Sequence, residues 1–160
     1  MHKTPDFVNL ILSHQGLIYK ITRVYVDDAE DQKDLYQEIV FQLFKSIKNF
    51  KGNAKISTWM YRVAMNTAIA YLNKSKRQKH SITSFELPDI PDDTSAVTEE
   101  RSNHLYTAIK KLTVIERGII VLFLEGKNYR EIGEITGFSE SNVGTRMGRI
   151  KQKLKELIKE

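Results

Sequence analysis

The sequence predicts an all-α protein: two small helical domains joined by an extended acidic linker, the second domain ending in a helix-turn-helix. Apolar residues return at helical spacing over residues 7–24 and again over 35–47, and no alternating strand pattern competes with them. From His80 to Val97 the chain reads HSITSFELPDIPDDTSAV, with two of the three prolines, several acids and no Lys or Arg. NYREIGEITGFSESNVGTRMGRIKQKL, from Asn128 to Leu154, reads as two short helices bent around a glycine. The expected division is residues 1–80, a linker over 81–98, and residues 99–160.

The first run places Phe7, Leu10, Ile11, Leu17, Ile18, Ile21 and Val24 on one amphipathic face. Asp27, Asp28, Glu30, Asp31 and Asp34 then gather where a second helix begins, and carboxylates are favoured there by the helix dipole. Leu35, Ile39, Leu43, Phe44 and Ile47 form its apolar stripe. Its other face carries Gln37, Glu38, Phe41 and Lys45, and an exposed Phe among polar groups suits protein docking as well as plain solvation.

After the loop NFKGNAK, a third helix is expected from near Ser57 to about Lys76. Wound at about 100° per residue, it places Met60, Ala64, Thr67, Ala68 and Tyr71 on one side. Another side carries Trp59, Arg62, Asn66 and Asn73, followed by Lys74, Lys76, Arg77 and Lys79. An aromatic, amides and cations on one stripe suit single-stranded or melted nucleic acid, where bases stack and cations track phosphates. A core Trp and a basic helix end favoured by the dipole would read the same way. Phe50, Lys51, Gly52 and Asn53 in the preceding loop could frame a pocket for an extruded base, or form an ordinary turn.

Pro88 and Pro91 oppose helix in the linker, and Asp89, Asp92 and Asp93 keep it solvated. Beyond it, helices are expected from about Thr98 to Leu112 and from about Val114 to Leu124. Asn128 and Glu131 form a variant capping box that starts a helix at Tyr129, Gly137 should end it, and Ser139 can cap the next. Gly133, four residues before Gly137, leaves a small surface where the second helix crosses. On that last helix Val143, Met147, Ile150 and Leu154 make a core stripe. Ser141, Asn142, Thr145, Gly148, Arg149 and Gln152 face away from it, with Arg146 on the flank. Arginine can pair bidentately with guanine, and Asn or Gln with adenine, so this face is compatible with a DNA major groove.

Composition narrows the chemistry. The chain has 160 residues, 25 basic and 20 acidic, for a formal net charge of +5. That balance favours a polyanionic partner without requiring one. The absence of cysteine excludes disulfides, thiolate metal sites and cysteine nucleophiles. The four histidines are scattered, and no glycine-rich phosphate loop or catalytic constellation is present, so neither an enzyme nor a cofactor is expected. The apolar start is too short and interrupted for a signal peptide, and no run of about eighteen apolar residues occurs, so a cytoplasmic protein without membrane insertion is expected.

The order of an acidic helix, NFKGNAKISTWMYRVAMNTA, an acidic linker and LTVIERGIIVLFLEGKNYREIGEITGFSESNVGTRMGRIKQKL resembles the extracytoplasmic-function group of bacterial sigma factors over nearly the whole chain. The resemblance implies a transcription-initiation subunit with core RNA polymerase and promoter DNA, duplex and melted, as partners, and no small-molecule substrate. It implies that DLYQEIVFQLF docks on the polymerase clamp through Asp34, Gln37 and Glu38. Phe50, Lys51, Asn53, Trp59, Arg62 and Asn66 would hold the melted minus-10 strand, with Lys74, Lys76, Arg77 and Lys79 on phosphates. The acidic linker would follow the nascent-RNA path. Ser141, Asn142, Thr145, Arg146 and Arg149 would read the minus-35 element. An anti-sigma factor that could hold the protein inactive is a further implied partner. Gly144 and Gly148 depart from the family's usual recognition helix. Read from the residues alone, a stand-alone helix-turn-helix regulator or a helical protein-binding adaptor remains open.

Overall fold

The computed structural model describes residues 4–79 and 96–159, and the side chains of 6–74 and 103–159. The first block contains α1 (Thr4–Ser13), α2 (Gln15–Tyr25), α3 (Ala29–Ser46), a 3-10 turn (Ile47–Asn49) and α4 (Ile56–Lys79). The second contains α5 (Ala96–Lys110), α6 (Val114–Leu124), α7 (Tyr129–Thr136) and α8 (Glu140–Lys159). No strand occurs among the described residues, in agreement with the all-α expectation. The expected linker residues before Ala96 lie outside the described ones. α5 starts at Ala96, two residues before the expected Thr98, beyond the last helix-opposing proline.

The run over 7–24 is two helices rather than one. The chain breaks at His14, whose ring nitrogen meets the Leu10 carbonyl at 2.9 Å while Ser13 donates to Asn9 at 2.7 Å. Local side-chain bonds to backbone carbonyls compete with helix continuation, and Gly16 follows immediately. α1 then lies near the end of α3, with the Phe7 and Phe44 rings edge to face at 5.4 Å. Phe44, expected on the buried stripe, stays 54% exposed there.

Each block closes a core, the first largely from its predicted stripes and the second from the predicted α8 stripe together with residues of α5, α6 and α7 that the spacing does not single out. Ile18 and Ile21 of α2 meet Leu35, Ile39 and Leu43 of α3 and Met60, Ala64 and Ala68 of α4, all essentially buried. In the second block Ile109, Ile119, Leu122 and Ile132 pack on Val143, Met147 and Ile150. The two cores merge into one apolar cluster, because α2 packs on α5 and α6 while α4 packs on α7.

Gly118 sits at that junction. A Cβ there would lie 2.2 Å from Met65 Cε and 2.9 Å from the Tyr25 hydroxyl, so the ends of these two side chains fill the space that the glycine leaves and would have to shift for a larger residue. The Tyr25 hydroxyl donates to the Val114 carbonyl at 3.1 Å across the junction. Around its rim Lys20 pairs with Glu125 at 2.5 Å and Lys110 with Asp27 at 2.7 Å, and the Arg23 guanidinium lies 4.0 Å over the Tyr106 ring. Exposed pairs of this kind contribute about 1 kcal/mol or less each, so the buried apolar surface is what joins the blocks.

Candidate nucleic-acid interface

The helix-turn-helix forms from the residues that announce it. Glu131 N–H donates to Asn128 Oδ1 at 2.8 Å and Asn128 N–H to Glu131 Oε1 at 3.1 Å, closing both halves of the capping box. Gly137 ends α7 with φ +88°, a left-handed conformation in which a side chain is strained. Ser139 Oγ accepts from Asn142 N–H at 3.1 Å and starts α8. A Cβ on Gly133 would lie 2.6 Å from the Phe138 carbonyl oxygen, so the small surface expected at that position is a true close crossing.

α8 is unbroken through Gly144 and Gly148, held by the burial of Val143, Met147, Ile150 and Leu154. Ser141, Asn142, Thr145, Gly148, Arg149 and Gln152 are exposed and Arg146 is half-buried, as their spacing predicts. Lys153 on the same helix donates to Glu116 Oε2 at 2.8 Å, and Glu116 also closes the Thr113 capping box of α6. Burial pushes the Glu116 carboxyl up, but the hydrogen bonds from Lys153 and Thr113 outweigh it and hold the group below its ordinary value. This pair ties α8 to α6 beside the buried stripe, which sets the face presented outward.

The second surface lies on α3, α4 and the loop between them. Gly52 takes a positive φ of 77° in the loop, which leaves Lys51 and Asn53 exposed on either side of the turn. Phe50 folds back so that its ring sits 5.4 Å from Trp59, tilted by 43°, and both rings are half-buried. Asn66 and Lys74 line a groove between α3 and α4 with Asp34, Gln37, Glu38 and Phe41. The candidate docking residues and part of the candidate strand-binding stripe are thus neighbours. Glu38 accepts from Gln42 at 3.0 Å, and Phe41 is 53% exposed. At the groove's end the Tyr71 hydroxyl donates to Asp31 at 3.3 Å, and burial with the nearby Asp31 raises that phenol to about 12.

Arg62 is engaged in a way its sequence does not announce. Both its Nε, at 3.0 Å, and its Nη2 donate to the Glu134 carbonyl near the C-terminal end of α7. Lys55 lies 4.0 Å from Glu131 on the same helix, and Lys127 sits 5.4 Å over the Tyr61 ring. One end of the α4 stripe therefore abuts the helix-turn-helix, while Asn66 and Lys74 lie at the groove. Tyr61 and Met65, which the helical winding left unassigned, are buried on the face of α4 toward the second block. Lys76, Arg77 and Lys79 belong to α4, and their side chains lie outside the described residues. Among the described residues no cluster of three His, Cys, Asp or Glu could hold a metal, and no helix is long and apolar enough to cross a membrane.

Two family profiles match the chain: Sigma-70 region 2 over residues 10–78 and Sigma-70 region 4 over residues 102–154. The chain is 29% identical to the ECF RNA polymerase sigma factor SigX of Bacillus subtilis, covering 92% of this chain and 81% of that relative. It is 27% identical to SigW of the same organism, covering 96% and 89%. In fold it is similar to the sigma factor RpoE of Bartonella quintana, solved with the anti-sigma factor NepR, with a TM-score of 0.78 over 96% of this chain and 97% of that one at 17% identity. CnrH, solved with the cytosolic domain of CnrY, gives a TM-score of 0.73 over 98% and 90%, also at 17% identity.

Proposed function

Because the chain belongs to the extracytoplasmic-function group of the sigma-70 family, we propose that it binds core RNA polymerase in the cytoplasm, reads minus-35 and minus-10 promoter elements and drives strand opening without covalent chemistry. The exposed polar and cationic face of α8, opposite its fully buried stripe, is the observation that carries this reading. A helix held on its apolar side and offering Ser141, Thr145, Arg146 and Arg149 outward meets the needs of major-groove recognition.

The α3–α4 groove supplies the docking surface, with Asp34, Gln37 and Glu38 at its acidic side. Trp59 and Phe50 supply stacking surfaces for bases of the opened strand, each contact worth about 1–3 kcal/mol. That range is comparable with the few kcal/mol it costs to unstack a base. Arg62 donates through Nε and Nη2 to the Glu134 carbonyl of α7, so turning its guanidinium onto the opened strand would give up that bond and link strand capture to release of the helix-turn-helix from the first block. A protein partner that holds the blocks together would oppose both. Anti-sigma binding, as in the solved RpoE complex, is extended to this chain on that ground.

The test is transcription from promoter templates by purified core polymerase with and without the chain. We expect promoter-dependent stimulation, lost through the upstream element in Arg149→Ala and lost at the opening step, with duplex binding retained, in Trp59→Ala. Absence of stimulation together with absence of core binding would end the proposal. A palindromic footprint without polymerase would instead favour the stand-alone regulator.

A further inference from the structure

We propose that Asn142 and Phe138 act on upstream DNA through Arg146, by positioning its guanidinium, and that Asn142 does not read a base of its own. The inference rests on α8 being the duplex-reading helix. Arg146 Nε donates to Asn142 Oδ1 at 3.0 Å, one helical turn away. On its other side the Arg146 Cζ lies 4.3 Å from the centre of the Phe138 ring. The guanidinium is therefore bracketed by a hydrogen-bond acceptor from its own helix and an aromatic face from the turn.

The bracket is built on a fixed support. Phe138 is half-buried against the core, and its carbonyl oxygen is the atom that a Cβ on Gly133 would strike. Gly137, immediately before Phe138, takes the left-handed conformation, so the ring is anchored by the same turn that sets the crossing of α7 and α8. Asn142 is itself at the start of α8, where its N–H is taken by Ser139 Oγ.

Two chemical consequences follow. With Nε committed to Asn142, the donors left to Arg146 are those on its two Nη atoms, a planar fork that matches the O6 and N7 acceptors of guanine end-on. The bond to Arg146 turns the Asn142 amide oxygen toward the arginine, so a bidentate contact to adenine would have to use that oxygen's second lone pair from an orientation the arginine already sets. The two residues thus form one reading unit with Arg146 as its contact. An arginine held in place before binding also loses less side-chain freedom on reaching the base than an unsupported one does.

The experiment uses the chain assembled with core polymerase and a set of promoters in which each upstream base pair is changed in turn. Arg146→Ala should flatten discrimination at one G·C pair by roughly tenfold. Asn142→Ala should weaken discrimination several-fold at that same pair and add little in the Arg146→Ala background, as expected for groups acting as a unit. Phe138→Leu should do likewise, and Phe138→Tyr, which keeps the ring, should retain wild-type discrimination. Asn142 is exposed, so its variant remains informative if Phe138→Leu folds poorly. The inference is overturned if Asn142→Ala relaxes a different base pair, or if its effect adds in full to that of Arg146→Ala. Uniform weakening across all sequences by Arg146→Ala would overturn it too, by placing the fork on phosphate. A wild-type assembly indifferent to every upstream pair would bring down the duplex-reading role of α8, and this inference with it.

Discussion

Gly133 and Gly148 lie in the same motif, yet alanine should act on them in opposite directions. At Gly133 the added Cβ would sit 2.6 Å from the Phe138 carbonyl oxygen. Carbon and carbonyl oxygen ordinarily approach to about 3.3 Å, so roughly 0.7 Å of movement is required. The obstructing atom is backbone in a tight turn, not the end of a flexible side chain, so relief means shifting the α7–α8 crossing. Overpacking of this kind costs about 1–3 kcal/mol, with the upper half expected for a backbone obstacle. Alanine's better helix propensity returns about 1 kcal/mol, leaving a net loss of about 1–2 kcal/mol. At Gly148 nothing lies within 4 Å of the added Cβ, so only the propensity gain of about 1 kcal/mol remains. For a chain of this size each kcal/mol moves the melting temperature by about 2–4 °C. Thermal unfolding of both variants beside wild type should therefore show Gly133→Ala lower and Gly148→Ala higher. A Gly133→Ala protein as stable as wild type would refute the close crossing on which the geometry of α8 depends.

Two further expectations concern the packing that supports the site. Tyr25→Phe removes the hydroxyl that donates to the Val114 carbonyl at 3.1 Å between the blocks, and should cost about 1 kcal/mol in denaturant unfolding. An unchanged midpoint would show that this bond does not tie the blocks. Glu116 is held below its ordinary value of 4.5, so its contribution is present above that pH and is lost as pH falls through the lowered folded value. Urea titrations at successive pH values should show the stability gap between wild type and Glu116→Gln shrinking on acidification, and a gap independent of pH would contradict the sign.

Much of the candidate site was legible because it is local. The Asn128–Glu131 box, the Gly137 stop and the Val143, Met147, Ile150 and Leu154 stripe each involve residues within a few turns of one another, where spacing alone sets geometry. The break at His14 escaped because the apolar period continues through it. What interrupts the helix there is competition by Ser13 and His14 for backbone carbonyls, which periodicity does not register. Tyr61 and Met65 escaped for a different reason. Their partners, Lys127 and the space above Gly118, belong to the other block.

The sequence by itself determined most of the helices, the inward stripe and outward chemistry of α8, and the caps of α7, since these follow from a 3.6-residue period and from capping within single turns. Only the tertiary structure decided how those surfaces are used. It docks α4 on α7 so that Arg62 bonds Glu134, it pairs Lys153 of α8 with Glu116 of α6, and it brings Phe138, Asn142 and Arg146 together. An apolar period says that a face will be buried but not against what. The partner depends on shape and charge matched between residues far apart in the chain, such as Arg62 and Glu134.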